Sequence, residues 1–368
     1  MSTITPPPAS GGAGSGAGAG GAGGAGGAAS GPVAPGADPS RAGSGHGADP
    51  SRAGSSHDAD PSRDGSAAGA TPPPVSTSPP IATRLRSVWT GLGSSISASS
   101  ALGIGLGLIA LHVLLAVLAP LISGHDPVMT DSTAALSGAS WSHWLGTDQY
   151  GRDILSRTLH GGQYALLVTF LATTIAVGIG TVLGCVTAYA DNWFDEVVMR
   201  IVDALLSVPS ILALLVVVTV FDSGLWVIVL AVTVVYAPAV TRVVRGAART
   251  VITQDYVTAA RARGEGALSI VFREILPNVT DVVLVEFAMR ASWIVLLIST
   301  LSFLGFGANP PTPDWGLMVQ ENRTALTVVP LGTLAPVVAL ATLVIGLNLS
   351  ADGLSKTLGV DRAQKGAI

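Results

Sequence analysis

The sequence contains few charged side chains. Asp, Glu, Lys and Arg make up 11% of its 368 residues, against roughly a quarter in soluble globular proteins. Only two of the basic residues are lysines, Lys356 and Lys365, and both lie close to the carboxyl end. Hydrophobic residues make up 49% instead, and several runs approach the roughly 20 apolar residues that cross a bilayer. This balance excludes an ordinary soluble domain and predicts an all-α polytopic membrane protein.

The sequence is equally poor in the motifs of catalysis. It contains no G-x-x-x-x-G-K-[ST] run to cradle ATP phosphates, and neither H-E-x-x-H nor G-x-S-x-G. Its single cysteine, Cys185, lies in an apolar run, which excludes an intrachain disulfide and a multi-cysteine metal site. We therefore predict no catalytic residue, no metal site and no cofactor bound by this chain. An ATP-driven activity would need its ATPase on another polypeptide.

Residues 1–84 have no hydrophobic face. They are rich in Gly, Ala, Pro and Ser, and the pentapeptide A-D-P-S-R recurs at Asp38, Asp49 and Asp60. Ordering such a segment brings no compensating burial of apolar surface. We therefore predict a disordered cytoplasmic tail, followed by a membrane domain over residues 85–368.

Six apolar segments are predicted to span the membrane. They cover residues 102–122, 165–189, 205–221, 225–240, 282–304 and 328–349. Arg84 and Arg86 precede the first span, so the positive-inside rule and the even number of spans place both termini in the cytoplasm. Pro209 is expected to kink the third span. Gly103 and Gly107 are expected to give the first span a face for close helix contact.

One long polar segment, residues 255–277, interrupts these apolar runs. Its alanines predict a short helix, Gly264 predicts a turn, and a second short helix follows that Pro277 ends. The small side chains of Ala259 and Ala260 would let another protein approach closely. Six arginines in or just before the segment predict a cytoplasmic location. They are Arg242, Arg245, Arg249, Arg261, Arg263 and Arg273.

Residues 123–163 form the polar stretch between the first two predicted spans, which the topology places on the outer side. The stretch contains the run H-W-L-G-T-D-Q-Y-G-R-D-I-L-S-R, residues 143–157. The run holds residue types common in catalytic and metal sites, but their spacing matches neither ligand sets nor nucleophile–base pairs. We therefore predict a structured loop that Asp–Arg pairs hold together and glycines turn. The residues concerned are His143, Asp148, Arg152 and Asp153.

Two pairs of opposite charges lie about one helical turn apart. Glu286 and Arg290 lie inside the predicted fifth span, where an unpaired charge is costly. The pair is interpreted either as the wall of a polar translocation path or as a structural pair near the cytoplasmic end of a tilted helix. Arg200 and Asp203, in a predicted cytoplasmic loop, are expected to pair on one helix face.

The segment 255–277 resembles the coupling loop of permeases in ATP-binding-cassette (ABC) importers. That loop follows the pattern Glu-Ala-Ala, three residues, Gly, nine residues, Ile, one residue, Leu-Pro. This sequence departs from the pattern at Thr258, where the family has Glu, and at Glu274, where it has Ile. The candidate residues for coupling to the ATPase are Asp255, Ala259, Ala260, Gly264, Leu276 and Pro277.

The outer run resembles a pattern of one permease subfamily, the second permease subunit of dipeptide and oligopeptide (peptide/nickel) importers. The pattern is L-G-T-D-x-x-G-R-D, and residues 301–316 are similar to a second one, L-S-F-L-G-L-G-x-x-P-P-x-P-x-W-G. Ile298 stands where many relatives carry a glutamate, so a role of that carboxylate in substrate passage is not carried over. The candidate residues of the outer loop are Gly146, Thr147, Asp148, Gly151, Arg152 and Asp153.

The resemblance implies a MetI-like permease fold with six transmembrane helices, in a bacterial inner membrane. By it, the chain forms half of a translocation path for dipeptides or oligopeptides, and a sister permease subunit forms the other half. The other implied partners are ABC ATPase subunits, which use ATP and Mg²⁺, an extracytoplasmic substrate-binding protein and the lipid bilayer. No nucleic-acid partner is expected.

Three alternatives remain open on the sequence. The same machine could carry nickel, haem or glutathione instead. A secondary carrier would transport without partners, although such carriers commonly contain an inverted repeat and none is visible here. An intramembrane enzyme would act alone, but it would need a nucleophile–base or metal constellation that the sequence does not display.

Overall fold

The structure is a computed structural model that describes residues 99–221 and 224–359, and this part of the chain is almost entirely helical. The predicted tail over residues 1–84 lies outside the described residues. The helices in chain order are α1 (Ser100–Ile122), α2 (Ile154–Ala190), α3 (Trp193–Ser207), α4 (Ser210–Phe221), α5 (Leu225–Ile252), α6 (Asp255–Ala262), α7 (Ala267–Ile270), α8 (Thr280–Phe303), α9 (Trp315–Asn322) and α10 (Leu331–Leu358). A π turn, Val271–Ile275, and a 3₁₀ turn, Leu276–Asn278, connect α7 to α8.

Five helices, α1, α2, α5, α8 and α10, are long and apolar enough to cross a membrane. α3 and α4 add a sixth span only as a broken pair, because they are bent by 87° at the break. The break at Pro209 is where the third predicted span, residues 205–221, was expected to kink, but α3 before it and α4 after it form one span only as this bent pair. α4 has 12 residues, roughly 18 Å of helix against a hydrocarbon core of about 30 Å. Pro209, which has no amide hydrogen to donate, lies at the break. The all-α polytopic class is confirmed.

The helices that contain the second and fourth predicted spans extend beyond the predicted bounds. α2 begins at Ile154 rather than at 165, because the Asp153 side chain caps its first turn by accepting from the Ser156 amide at 2.7 Å. α5 likewise continues past 240, to Ile252. Polar and charged residues continue the helix at the start of α2 and at the end of α5, because other groups of the protein form hydrogen bonds with them.

Ion pairs fasten α3 to α5. Arg245 donates two hydrogen bonds to Asp195, from Nε at 2.6 Å and from Nη2 at 2.5 Å. Arg249 donates to Asp195 and to Asp191, each at 3.0 Å. Bidentate arginine–carboxylate pairs of this kind fix orientation as well as charge, so the start of α3 is held against the basic end of α5.

The expected pair between Arg200 and Asp203 is wrong. Asp203 pairs with Arg242 of α5, and Arg200 pairs with Glu196 one turn earlier at 3.4 Å. Helix spacing allowed either arrangement, but α5 brings a cation from another helix to Asp203.

Small residues set the closest helix contacts. A Cβ on Gly184 of α2 would lie 2.8 Å from a carbonyl oxygen of α5, so the two backbones touch there. α1 approaches α10 at Gly105, where a Cβ would lie 2.6 Å from the Ser350 amide nitrogen. The expected contact at Gly107 is wrong, since nothing lies within 4 Å of a Cβ there, and Gly103 is only half-buried. The contact face of α1 runs through Gly105 instead.

Residues 304–314 form a non-helical connection after α8. The buried Asp314 side chain accepts from the Gly316 amide at 2.8 Å, from the Leu317 amide at 3.2 Å and from Ser302 Oγ at 2.9 Å. Burial raises the pKa of Asp314, while these hydrogen bonds oppose the rise. One carboxyl group thus caps α9 and holds it against the end of α8.

Candidate functional site

The segment 255–277 packs its inner face against the membrane helices. Val257 and Ala260 of α6 are fully buried, as are Ile270 and Ile275. These side chains belong to one hydrophobic cluster with residues of α2 and α5. The segment is therefore packed into the helical body through contacts with both of those helices.

The outer face of α6 is exposed and made of small side chains. Asp255, Ala259 and Ala262 are exposed, and Leu268, just beyond the turn, exposes 67% of its surface. Of the predicted alanine pair, only Ala259 faces outward, because Ala260 lies in the core cluster. Small outward side chains beside an exposed leucine give a partner protein access to the helix backbone.

Gly264 makes the turn between α6 and α7. Its φ of +75° lies in the region that glycine adopts without steric cost. The amides of Gly264 and Glu265 donate to the carbonyls of Arg261 and Ala260 at 2.9 and 3.2 Å, the Schellman arrangement that ends a helix. A Cβ at Gly264 would meet nothing within 4 Å. The turn predicted there is confirmed, and it requires glycine for its conformation rather than for space.

Leu276 and Pro277 connect the segment to α8. Both are half-buried in the 3₁₀ turn that precedes the helix, where a residue without an amide hydrogen is tolerated. Within α6, the Arg261 guanidinium lies 4.9 Å from the centre of the Tyr189 ring at the end of α2. This distance is within cation–π range. The segment therefore joins α5 to α8 through consecutive helical turns.

The outer loop, residues 123–153 between α1 and α2, turns at Gly146 and Gly151. The φ angles of these two glycines are +81° and +72°. A Cβ on Gly151 would lie 1.8 Å from the Asp131 carbonyl oxygen, so this position accepts no side chain. The Thr147 hydroxyl accepts from the Ser137 amide at 2.9 Å. The loop folds on itself through its own backbone, as the glycine spacing predicts.

A buried ionic network anchors this loop to the rest of the protein. Arg152 Nε donates to Asp148 Oδ2 at 2.6 Å, and its Nη2 donates to Glu321 Oε2 of α9 at 2.7 Å. Arg157, whose side chain is fully buried, donates to the same Glu321 oxygen at 3.3 Å and lies 3.7 Å from Asp148 Oδ2. Two carboxylates and two guanidiniums thus join the loop, α2 and α9, and the predicted Asp–Arg pairing is confirmed.

Two members of this network were missed by the sequence reasoning. Arg157 ends the run 143–157 and lies one helical turn after Asp153, so its position on the first turn of α2 was a usable signal. Glu321 gave no signal, because it is distant in sequence and belongs to none of the matched patterns.

Asp153 bonds in two directions from one carboxylate. Oδ1 caps α2 at the Ser156 amide, and Oδ2 lies 2.9 Å from His143 Nδ1. The His125 ring lies beside the His143 ring, with their centres 4.9 Å apart. This end of α2 is therefore tied both to the loop and to the turn that follows α1.

Glu286 and Arg290 form an ion pair within α8. Arg290 Nε donates to Glu286 Oε2 at 2.8 Å, and the two side chains expose 18% and 8% of their surface. Pairing removes much of the cost of placing charge at this depth. The pair lies in the part of α8 nearest to the segment 255–277, so it agrees with the position expected for either predicted role.

A groove of about 680 Å³ lies between α1, α2, α8 and α10. Its lining is almost wholly apolar and includes Phe170 and Phe287. Such a surface suits acyl chains better than a polar solute. A polar cargo would need a different path, bounded by the charged positions of α8 or by another subunit.

The amino-acid sequence matches a protein family described as "Binding-protein-dependent transport system inner membrane component" over residues 176–359. This range begins within α2 and continues to the end of α10. It includes the segment 255–277 and the charged pair of α8, whereas the outer loop lies before it.

Curated relatives extend the similarity towards the amino end. DppC, a dipeptide transport system permease protein of Alkalihalophilus pseudofirmus, is 32% identical over 288 residues, 78% of this chain and 95% of that protein. GsiD, a glutathione transport system permease protein of Pectobacterium atrosepticum, is 38% identical over 221 residues, 60% of this chain and 73% of that protein. A solved structure of the MetNI methionine ABC transporter in an inward-facing conformation aligns with a TM-score of 0.47 at 20% identity, over 55% of this chain and 96% of that one.

Proposed function

Because the chain belongs to the family of binding-protein-dependent transport system inner membrane components, we propose that it forms half of a membrane path for dipeptides or oligopeptides. The chain is a permease subunit of a binding-protein-dependent ABC importer, a transport component rather than an enzyme. Its family implies an ATPase and a substrate-binding protein as partners. The peptide cargo is supported by relatives named for the transport of dipeptides and of glutathione, itself a short peptide.

Glutathione is the second candidate cargo, since the relatives named for it are 38% identical. The two cargoes are distinguished by uptake of a labelled dipeptide into cells that lack this chain and are complemented with it. We expect complementation to restore uptake and excess unlabelled dipeptide to compete at least tenfold better than glutathione. Competition by glutathione at a lower concentration than dipeptide would assign the path to glutathione instead.

The proposed coupling site is the exposed face of α6 with Leu268, and the ATPase subunit docks there. The observation that supports it is the division of α6 into two faces: a small exposed one around Ala259 and a buried one around Ala260. A partner that grips the exposed face moves the buried face, and with it the cluster shared with α2 and α5. ATP and Mg²⁺ are used by that partner, and a two-state equilibrium of the helices follows its nucleotide state.

Ala259→Glu tests this docking surface. A charged side chain on the small face should block the close approach, so the ATPase should be lost when the chain is purified in mild detergent. Ala139→Glu, at an exposed alanine of the outer loop, is the matched control and should retain the ATPase. Equal recovery of the ATPase with both variants would contradict docking at α6.

A sister permease subunit completes the proposed path. The apolar groove of this chain is unsuited to a peptide, and Arg290 leaves a small polar area on α8 that lipid would not solvate. Contact with a second subunit would provide a polar environment there. The segment 255–277 is proposed to face the cytoplasm together with both termini, because six arginines lie within it or just before it.

Glu286→Gln distinguishes the two interpretations of the α8 pair. If the pair lines the path, the variant should lower uptake several-fold while assembly and melting temperature stay close to the wild type. If the pair is only structural, the unpaired Arg290 should lower the melting temperature in detergent, with uptake falling in proportion to the protein lost. Uptake per assembled complex is therefore the measurement.

A further inference from the structure

Three side chains from separate parts of the chain meet beside the first turn of α2. His125 belongs to the turn after α1, His143 to the outer loop, and Asp153 to the cap of α2. One ring nitrogen of each histidine and one carboxylate oxygen all lie within 4.8 Å of one another. The sequence predicts no metal site here, because the spacing within residues 143–157 fits no ligand set and His125 lies outside that run.

Hydrogen bonds hold each of the three groups in place. The His125 carbonyl accepts from Ser156 Oγ at 2.7 Å, and its ring Nδ1 lies 3.2 Å from the Ser123 carbonyl oxygen. A carbonyl can only accept, so Nδ1 of a neutral His125 carries the proton and Nε2 keeps its lone pair. Asp153 Oδ1 is fixed by the cap of α2, which leaves Oδ2 directed at His143. Metal-binding histidines are commonly oriented by such bonds to carbonyl or carboxylate groups.

We propose that His125, His143 and Asp153 bind one divalent transition-metal ion of the Zn²⁺ class. The ion would lie between His143 Nδ1 and Asp153 Oδ2, which are 2.9 Å apart, with His125 as the third ligand. Bonds of about 2.0–2.2 Å to nitrogen and oxygen separate neighbouring ligand atoms by roughly 3.3 Å in a tetrahedron, so small side-chain rotations suffice. The ring proton of His143 moves to Nε2, and no redox change is involved.

The donor set selects the class of ion. Two imidazoles and one carboxylate suit Zn²⁺, Ni²⁺ or Cu²⁺, whereas Mg²⁺ and Ca²⁺ prefer sites made of oxygen ligands. His125 is exposed and His143 partly so, so an ion in solution has access and water can complete the coordination. The carboxylate of Asp153 offsets part of the charge of a divalent cation.

The bound ion would add a further connection between elements that hydrogen bonds already join. It would tie the end of α1 to the start of α2, on the side of the molecule opposite the segment 255–277. The ionic network around Asp148 anchors the same loop to α9 from its other side. Metal binding is therefore expected to rigidify this loop, and this inference holds whichever cargo the chain carries.

Zn²⁺ titration of the purified full-length chain tests the site. Isothermal titration calorimetry should give one site with micromolar or tighter affinity, and Co²⁺ in its place should produce visible d–d absorption. The protein should carry His46→Ala and His57→Ala and a tag without histidine, because tail histidines bind metal ions adventitiously. Mg²⁺ should give no signal at the same concentration.

Matched variants distinguish this site from other histidines. His125→Ala and His143→Ala should each weaken Zn²⁺ binding at least tenfold. Asp153→Asn, which retains an oxygen for the cap of α2, should weaken it as well. His160→Ala, at a histidine on α2 outside the cluster, should leave binding unchanged. Absence of a micromolar site, or binding that is equal in wild type and His125→Ala, would overturn the proposal.

Discussion

The outer loop and the segment 255–277 are both polar connections between membrane helices, yet they are built in opposite ways. The outer loop turns its charges inward, where Arg152 and Arg157 share Glu321. The segment 255–277 turns apolar side chains inward and leaves its small residues exposed. A connection whose interior holds paired charges resists deformation, whereas one with an exposed, small surface offers a place to bind. The outer loop is built as a fixed structure, whereas the segment 255–277 has the exposed surface that the proposed docking of an ATPase requires.

The largest effect on folding is expected from Gly151→Val in the outer loop. Its Cβ would overlap the Asp131 carbonyl oxygen, at 1.8 Å, and its φ of +72° is strained for a β-branched residue. The loop must unfold to accept the side chain, so we expect little or no folded protein by fluorescence size-exclusion chromatography. Gly138→Val, with open space in the same loop, should keep wild-type yield. Normal yield of Gly151→Val would mean that the loop is not fixed by this contact.

A smaller loss of stability is expected from Glu321→Gln. Removing this charge leaves two buried guanidiniums with Asp148 as the remaining carboxylate, and breaking buried ion pairs costs on the order of 3–5 kcal/mol. The melting temperature in detergent should fall by several degrees. Glu196→Gln breaks a pair whose side chains are 72% and 79% exposed and should change the melting temperature very little. Equal shifts in the two variants would remove the distinction between buried and exposed pairing.

The smallest effect on stability is expected from Gly264→Ala. The site has room for the methyl group, so the cost is that of a left-handed conformation in a residue other than glycine, about 1–2 kcal/mol. The expected functional loss is larger if α6 is the proposed docking site, because a changed turn alters how α6 is presented to the ATPase. Gly266→Ala, in the same turn with φ −64°, is the control.

The measurement for Gly264→Ala is the ratio of uptake to ATP hydrolysis in reconstituted complexes. We expect this ratio to fall in Gly264→Ala and to remain at the wild-type value in Gly266→Ala. An unchanged ratio in a stably assembled Gly264→Ala complex would indicate that the turn shapes the chain without transmitting movement. That result would weaken the contrast with the outer loop.

The sequence alone was sufficient to predict the class of the fold. Long apolar runs require helices that satisfy their own backbone in a membrane, so the five long helices and a kink at Pro209 could be predicted locally, whereas the 87° bend between α3 and α4 could not. The turn at Gly264 and the structured loop with Asp148 and Arg152 were also local, because each depends on residues a few positions apart. The family resemblance rested on the same short patterns.

Only the tertiary structure decided which partner each polar side chain has. Glu321 reaches Arg152 from a distant helix, Arg242 displaces Arg200 from Asp203, and His125 meets His143 from the turn after α1. It also decided that Ala260 is buried while its neighbour Ala259 is exposed. The physical reason is that helices and turns depend on short-range backbone geometry. A buried charge instead needs an opposite charge nearby, and the packing of the helices decides which one comes within reach.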